Sequence, residues 1–177
     1  MPYRGACWAR WEVGHPLATF KVGDKVVYPM HGAGIIEAIE EREVLGQRQP
    51  YYIMRLPFGD MQVMIPLRSV EEVGLREVIS SDEVDRVFAV LQGEKTKMSQ
   101  NWNRRYRANL EKIRSGDIFE VAEVVRNLTL RDREKGLSTG ERRMLDSARQ
   151  ILVSELVLAQ GLPAAEVERR LDEVLGS

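Results

Sequence analysis

The feature that most constrains this 177-residue chain is a change of hydrophobic texture near residue 75. From Phe20 onward, short runs rich in β-branched and aromatic residues are separated by glycine and proline; beyond Gly74, apolar residues recur at helical spacing behind capping signatures. A run of strands followed by a run of helices reads as an α+β protein of two domains. The expected division is a loosely attached N-terminal extension over 1–19, a small Tudor/SH3-like β-barrel over 20–75, and a compact all-α domain over 76–177.

In the first part, Lys25-Val26-Val27-Tyr28 and Ile35-Ile36-Glu37-Ala38-Ile39 predict two strands released by a Gly32-Ala33-Gly34 turn. Tyr51 to Arg55 and Met61 to Ile65 predict two more, joined across Pro57-Phe58-Gly59-Asp60. Four or five short strands in about 55 residues form a sheet that curls to hide its edges. Gly32 and Gly34 supply either tight bends or a close backbone approach. The charged run Glu40-Glu41-Arg42-Glu43 lies where the second strand runs out, and serves as solvated edge protection or as a protein-binding rim.

In the second part, Ser80/Glu83, Asp117/Glu120 and Ser138/Glu141 each have the spacing of a capping box. They open helices whose inward faces carry Val84, Val87 and Leu91, then Ala122, Val125 and Leu128, then Ala148, Leu152 and Leu156. Gly93, Gly136 and Gly161 act as stops, and Pro163 suits the first turn of a last helix with Val167 and Leu171. Five helical segments with short connections make a bundle, and their period excludes a long coiled coil.

Between these signals lies Asn101-Trp102-Asn103-Arg104-Arg105-Tyr106-Arg107, continuing to Leu110, Lys112, Ile113 and Arg114. On a helix Trp102, Tyr106, Leu110 and Ile113 share a face, with arginines on its flanks. Such an arrangement either anchors an amphipathic helix in a core or holds nucleic acid, the cations neutralising phosphates while an aromatic ring enters a groove or stacks on a base. Charge distribution bears on the choice. The formal net charge is only -1, yet residues 95–135 carry 11 Lys/Arg against 6 Asp/Glu, whereas residues 20–75 carry 6 against 8. The cationic charge is therefore collected around the tryptophan.

Catalytic and metal chemistry find no constellation. Cys7 is the single cysteine, which excludes an intrachain disulfide and a thiolate zinc set. His15 and His31 lack an acid or metal partner, and His31-Gly32-Ala33-Gly34 lacks the residues of a P-loop. The Ser/Glu pairs already have a capping role. No cofactor or metal is expected, the chain is read as a non-enzyme, and no run approaches the ~18 to 20 apolar residues of a membrane span. A cytoplasmic setting is expected.

With these motifs in place, the chain resembles the CarD/CdnL family of bacterial transcription regulators. The resemblance rests on Phe20-Lys21-Val22-Gly23-Asp24-Lys25-Val26-Val27-Tyr28-Pro29 with His31-Gly32, on Asn101 through Lys112, on Ser115-Gly116-Asp117, and on Ala122 to Leu128, Gly136-Leu137-Ser138 and Glu155-Leu156. The first part is also similar to the polymerase-interacting module of the transcription-repair coupling factor. The resemblance implies a barrel that binds the β subunit of RNA polymerase and a helical domain that contacts promoter DNA at the upstream edge of the melted region. It implies that Trp102 wedges into the minor groove and stabilises the open complex, with Arg104 and Arg107 on the backbone nearby; Arg105, Lys112 and Arg114 complete the expected DNA-binding set. For the polymerase surface it implies Arg42, with Glu43, Tyr28 and Met64 around it. Met64 stands where the family has a basic residue, so apolar packing replaces an ion pair there. The partners expected are polymerase and promoter DNA read without a base code, and the protein is expected to be monomeric. An RNA-associated or general nucleic-acid module is the alternative, and the acidic balance of the barrel argues against it.

Overall fold

The structure, a computed structural model, describes residues 19–176. The N-terminal extension expected over 1–19, with Cys7 and His15, lies outside the described residues except for Thr19. Strands β1 (Lys25–Tyr28), β2 (Gly32–Val44), β3 (Gln47–Arg55), β4 (Gln62–Pro66) and β5 (Arg76–Glu77) form one antiparallel sheet in the order β4-β3-β2-β1-β5. Helices α1 (Val70–Val73), α2 (Ser81–Gln92), α3 (Trp102–Arg114), α4 (Ile118–Lys135), α5 (Thr139–Gln160) and α6 (Ala164–Leu175) complete the two-domain α+β architecture.

The sheet curls around Val26, Ile36, Ile39, Tyr52, Met54 and Ile65. Strict alternation cannot put both Ile36 and Ile39 inside, and the register shift between Ile36 and Ala38 resolves this with one extra residue, Glu37. A helical turn, not a strand pair, spans the gap between β4 and β5: Leu67, Val70 and Leu75 close the barrel core there.

Two expectations for this domain are corrected. The turn between β1 and β2 is made by Tyr28 to His31, with Met30 at φ 73° and the His31 N–H donating to the Tyr28 carbonyl at 2.9 Å; Gly32 and Gly34 belong to β2. Gly34 is small because neighbours crowd it, and Gly32 both for that reason and because its φ of 102° suits glycine. A Cβ on Gly32 would lie 2.7 Å from Ser154 Oγ, and one on Gly34 would collide with the Arg55 carbonyl. The sheet also continues past residue 75, since β5 pairs with Val26 and Val27.

The capping boxes at Ser80/Glu83 and Ser138/Glu141 form as the spacing predicts. Asp117 caps α4 more simply, its carboxylate accepting the Phe119 N–H at 2.8 Å. Leu128, Leu152, Leu156 and Leu171 are fully buried where α4, α5 and α6 meet.

Strand β1 has no exposed face in its middle. Val26 points into the barrel, while Val27 packs with Ala33 and Leu158 of α5. Polar contacts fix the same junction. Ser154 Oγ accepts the Ala33 N–H at 2.9 Å, and Lys25 Nζ donates to the Leu158 carbonyl at 3.0 Å. Arg76 forks onto Glu155 at 2.7 and 3.0 Å and also donates to the Gly116 carbonyl; Glu155, 0% exposed, accepts the Ile79 N–H as well. A buried carboxylate with all these donors joins the two domains into one body.

Candidate nucleic-acid interface

Asn101 caps α3, its side chain accepting the Arg104 N–H at 3.0 Å, so Trp102 is the first helical residue. It belongs by spacing to the inward face, but at the helix start that face is only partly covered, by Tyr106 and the start of α5. The apolar stripe therefore opens towards the N-terminus: Ile113 is 3% exposed, Leu110 and Tyr106 are half-buried, and Trp102 is 42% exposed. The indole stacks on Tyr106, with centroids 5.0 Å apart and planes at 22°. Its Nε1–H donates to Ser138 Oγ at 2.9 Å. Gly140, in the first turn of α5, leaves room beside the ring: a Cβ there would sit 3.5 Å from Trp102 Cζ2.

The arginines divide. Arg104, Arg107 and Arg114 are exposed and make no ion pair among the described residues. Arg105 is a correction: it is 4% exposed and turned inward. Spacing explains this, because Arg105 shares its helical side with buried Asn109 and Ile113. Its Nε donates to Glu141 Oε1 at 2.5 Å and its Nη1 to the carbonyls of Ser99 and Gln100 at 2.9 and 3.2 Å. Burial of the Glu141 carboxyl opposes its ionised form, but the hydrogen bond and charge of Arg105 and the Ser138 N–H outweigh it and hold the group below the usual carboxylate range. Arg105 is thus an internal strut, not a cation offered to phosphate.

Lys112 pairs with Glu123 at 2.8 Å. It and Arg114 lie some ten to twelve residues along α3 from Trp102, about 15 to 18 Å at 1.5 Å per residue. The structure gathers Trp102, Arg104 and Arg107 at one end of the helix, and leaves Lys112 and Arg114 at the other. Sequence reasoning missed Ser138 as a partner of the indole. Ser138 showed no signal beyond its capping role.

On the barrel, the strand register decides which residues share a face. Arg42 lies opposite Gln49 and Met64 opposite Ile53, so both project from the outer face of the sheet, roughly 13 Å apart along the strands. Tyr51 and Ile53 floor the space between them. Met64 is 44% exposed, and Arg42 bends back to Glu40, with Nε to Oε2 at 2.8 Å. Two expected neighbours are not brought here. Glu43 lies opposite Arg48 and projects from the other side of the β2–β3 ribbon. Tyr28 packs against the barrel core and lies tilted against His31, with ring centroids 4.4 Å apart.

Among the described residues no cluster of side chains is arranged to hold a metal ion, and no helix is long and apolar enough to cross a membrane. A cleft of about 540 Å³ at the domain junction is lined among others by Arg76, Glu83, Asp117 and Phe119; Arg76 is committed to Glu155, Glu83 to the α2 cap and Asp117 to the α4 cap.

Residues 20–79 match the family model described as CarD-like/TRCF RID domain, and residues 86–172 the one described as CarD, C-terminal domain. The chain belongs to the CarD family. It is 40% identical over 149 residues to the putative transcription factor YdeB of Bacillus subtilis (strain 168), a match covering 84% of this chain and 97% of YdeB. Two solved structures from Myxococcus xanthus resemble its N-terminal part. The 72-residue N-terminal domain of CarD is 38% identical, covering 33% of this chain and 77% of that one with a TM-score of 0.29. CdnLNt is 49% identical, covering 39% and 97% with a TM-score of 0.31. In this CarD-family chain Arg42 and Met64 fall within the first matched region, and Trp102 and Ser138 within the second.

Proposed function

We propose that the protein binds the RNA polymerase β subunit through the outer face of its barrel, and the upstream edge of the promoter bubble through the N-terminal end of α3, stabilising the open complex. The observation that carries this reading is the exposed indole of Trp102, backed by Tyr106, with Arg104 and Arg107 exposed in the same first turns of α3. A large aromatic ring left 42% open at a helix start, in a bundle whose core is filled by aliphatic residues, is placed for a partner with flat apolar surface. DNA at a melting fork offers that surface, because a base step that is already partly unstacked accepts a wedge at lower cost than intact duplex. The guanidinium groups of Arg104 and Arg107 contribute phosphate contacts that position the ring without reading sequence.

Energetically, the protein acts by differential affinity. It favours melted promoter over closed duplex by the amount that the wedge contact is stronger in the melted state, and by no more. The barrel supplies location. Arg42 and Met64 present a mixed charged and apolar surface to the β subunit, with the thioether of Met64 packing where a charge pair is not formed. Transcription with purified polymerase on a weak promoter tests the reading: the protein is expected to lengthen the lifetime of the open complex, and the Trp102→Ala variant to lose that effect while still binding the β-subunit lobe. Equal lifetimes for the two proteins would sink the wedge.

A further inference from the structure

Trp102 is not a freely rotating side chain. One face of the ring lies on Tyr106, and the Nε1–Cζ2 edge lies against the start of α5, where Nε1 donates to Ser138 Oγ and Cζ2 borders Gly140. The acceptor is fixed in its turn. Ser138 Oγ donates to Glu141 Oε2 at 3.1 Å and accepts the Glu141 N–H at 3.2 Å, so the hydroxyl has one preferred orientation, with its proton directed away from the indole. Glu141 is 2% exposed, and its other oxygen takes Arg105, which in turn ties the carbonyls of Ser99 and Gln100 just before the α3 cap. One buried carboxylate therefore sets both the chain entering α3 and the hydroxyl that receives the indole.

We infer that Ser138 is a positioning residue for the tryptophan, its hydroxyl holding the ring in a single plane before DNA arrives. This rests on the wedge reading above and adds to it how the wedge is kept ready. A ring with two free torsions loses rotamer freedom when it inserts, and that loss is removed from the binding step if the ring is already fixed. The hydrogen bond occupies one edge and Tyr106 one face, so the other face can be covered by DNA with both contacts intact. The bond has a second consequence. Nε1–H is the only donor of an indole, and with it taken by Ser138 the ring presents apolar surface alone to the groove, which suits a contact that reads no sequence.

Ser138 also caps α5, so the test must separate capping from positioning. Ser138→Gly retains a good N-cap residue and removes the indole acceptor; Ser138→Thr retains the hydroxyl. In the full chain, the Trp102 indole N–H is followed by ¹H–¹⁵N correlation, assigned by its absence in Trp102→Phe. Ser138→Gly is expected to speed its hydrogen exchange about fivefold, the worth of one net hydrogen bond. The same variant is expected to shorten the open-complex lifetime by about threefold to fivefold, with thermal midpoint and polymerase affinity unchanged, and Ser138→Thr to restore both readouts. If Trp102→Ala shortens the lifetime but Ser138→Gly leaves it equal or longer, the positioning role is refuted and the wedge stands. Unchanged indole exchange in Ser138→Gly also overturns the role. If Trp102→Ala itself has no effect, both readings fall.

Discussion

Replacing Trp102 by alanine removes the proposed wedge, and the size of the effect can be worked from the exposure. A tryptophan side chain offers about 250 Å², of which 42% leaves roughly 100 Å² open before any partner is present. Covering all of it is worth about 2.5 kcal/mol at 25 cal/mol per Å², and covering half about 1.3 kcal/mol. Since 1.4 kcal/mol is a factor of ten, the open complex should dissociate roughly 8-fold to 70-fold faster with Trp102→Ala than with the parent. The assay is competitor-challenged decay of open complexes on a weak promoter, at concentrations that saturate polymerase with either protein, so that occupancy does not enter. The rest of the side chain, roughly 150 Å², packs on Tyr106 and the start of α5, so Trp102→Ala also lowers stability, by up to about 3 to 4 kcal/mol at the same coefficient, and the decay is measured well below the variant's thermal midpoint. A decay rate unchanged within twofold, with both proteins shown to be bound, would refute the reasoning, because no other group on this surface carries comparable apolar area.

Three further outcomes are expected. Arg42→Glu should weaken association with the isolated β-subunit lobe without changing the thermal midpoint, since the exposed Arg42–Glu40 pair contributes little to folding; unchanged affinity in a titration would remove Arg42 from the surface. Arg76→Ala should lower stability by about 2 to 3 kcal/mol in urea denaturation, less than the ~3 to 5 of a fully buried pair because the Arg76 side chain keeps 32% exposure; a loss under 0.5 kcal/mol would show that Glu155 is satisfied without it. Glu141 has a folded-state pKa below its ordinary 4.5, so its ionisation stabilises the fold above about pH 4.5, and that contribution is lost as pH falls through the folded value. The stability gap between the parent and Glu141→Gln should therefore be widest at neutral pH and narrow below pH 4.5, and a gap constant with pH in thermal melts would contradict the Arg105–Glu141 account.

What the sequence disclosed and what it hid divide by range. The caps at Ser80/Glu83 and Ser138/Glu141 were legible because both partners sit within one turn, where spacing alone determines contact. Strand β5 was not, since Arg76–Glu77 carries no apolar alternation and exists only by pairing with β1 some fifty residues earlier. Gly32 reads locally as turn hardware, and its positive φ agrees with that, but the second constraint, Ser154 on α5 pressing against the strand, is invisible locally. Arg105 shows the same limit at the candidate site. Among four arginines in one stretch only its spacing to Asn109 and Ile113 marks the one that is buried, and the carboxylate that makes burial tolerable, Glu141, lies 36 residues away. The exposure of Trp102 was open for a comparable reason: its spacing places it on the inward face, and only the assembled bundle shows that this face is just partly covered at the start of α3.

The junction between the domains bears on how so small a cationic surface could serve a DNA contact. Arg104 and Arg107 at the tryptophan, with Arg114 farther along, are the exposed unpaired cations of α3, and three phosphate contacts release roughly three counterions, far fewer than proteins that hold DNA unaided. The chain as a whole, at a formal charge of -1, has little long-range attraction to a polyanion. On the proposed reading the barrel compensates. Once it is held by polymerase, the α3 tip meets DNA as an intramolecular event, at an effective concentration that depends on how firmly barrel and bundle are joined. The Arg76–Glu155 fork, the Ser154–Ala33 bond and the packing of Val27 on Leu158 make that joint stiff, so freedom between the two contacts is already spent in folding and is not lost again at the promoter.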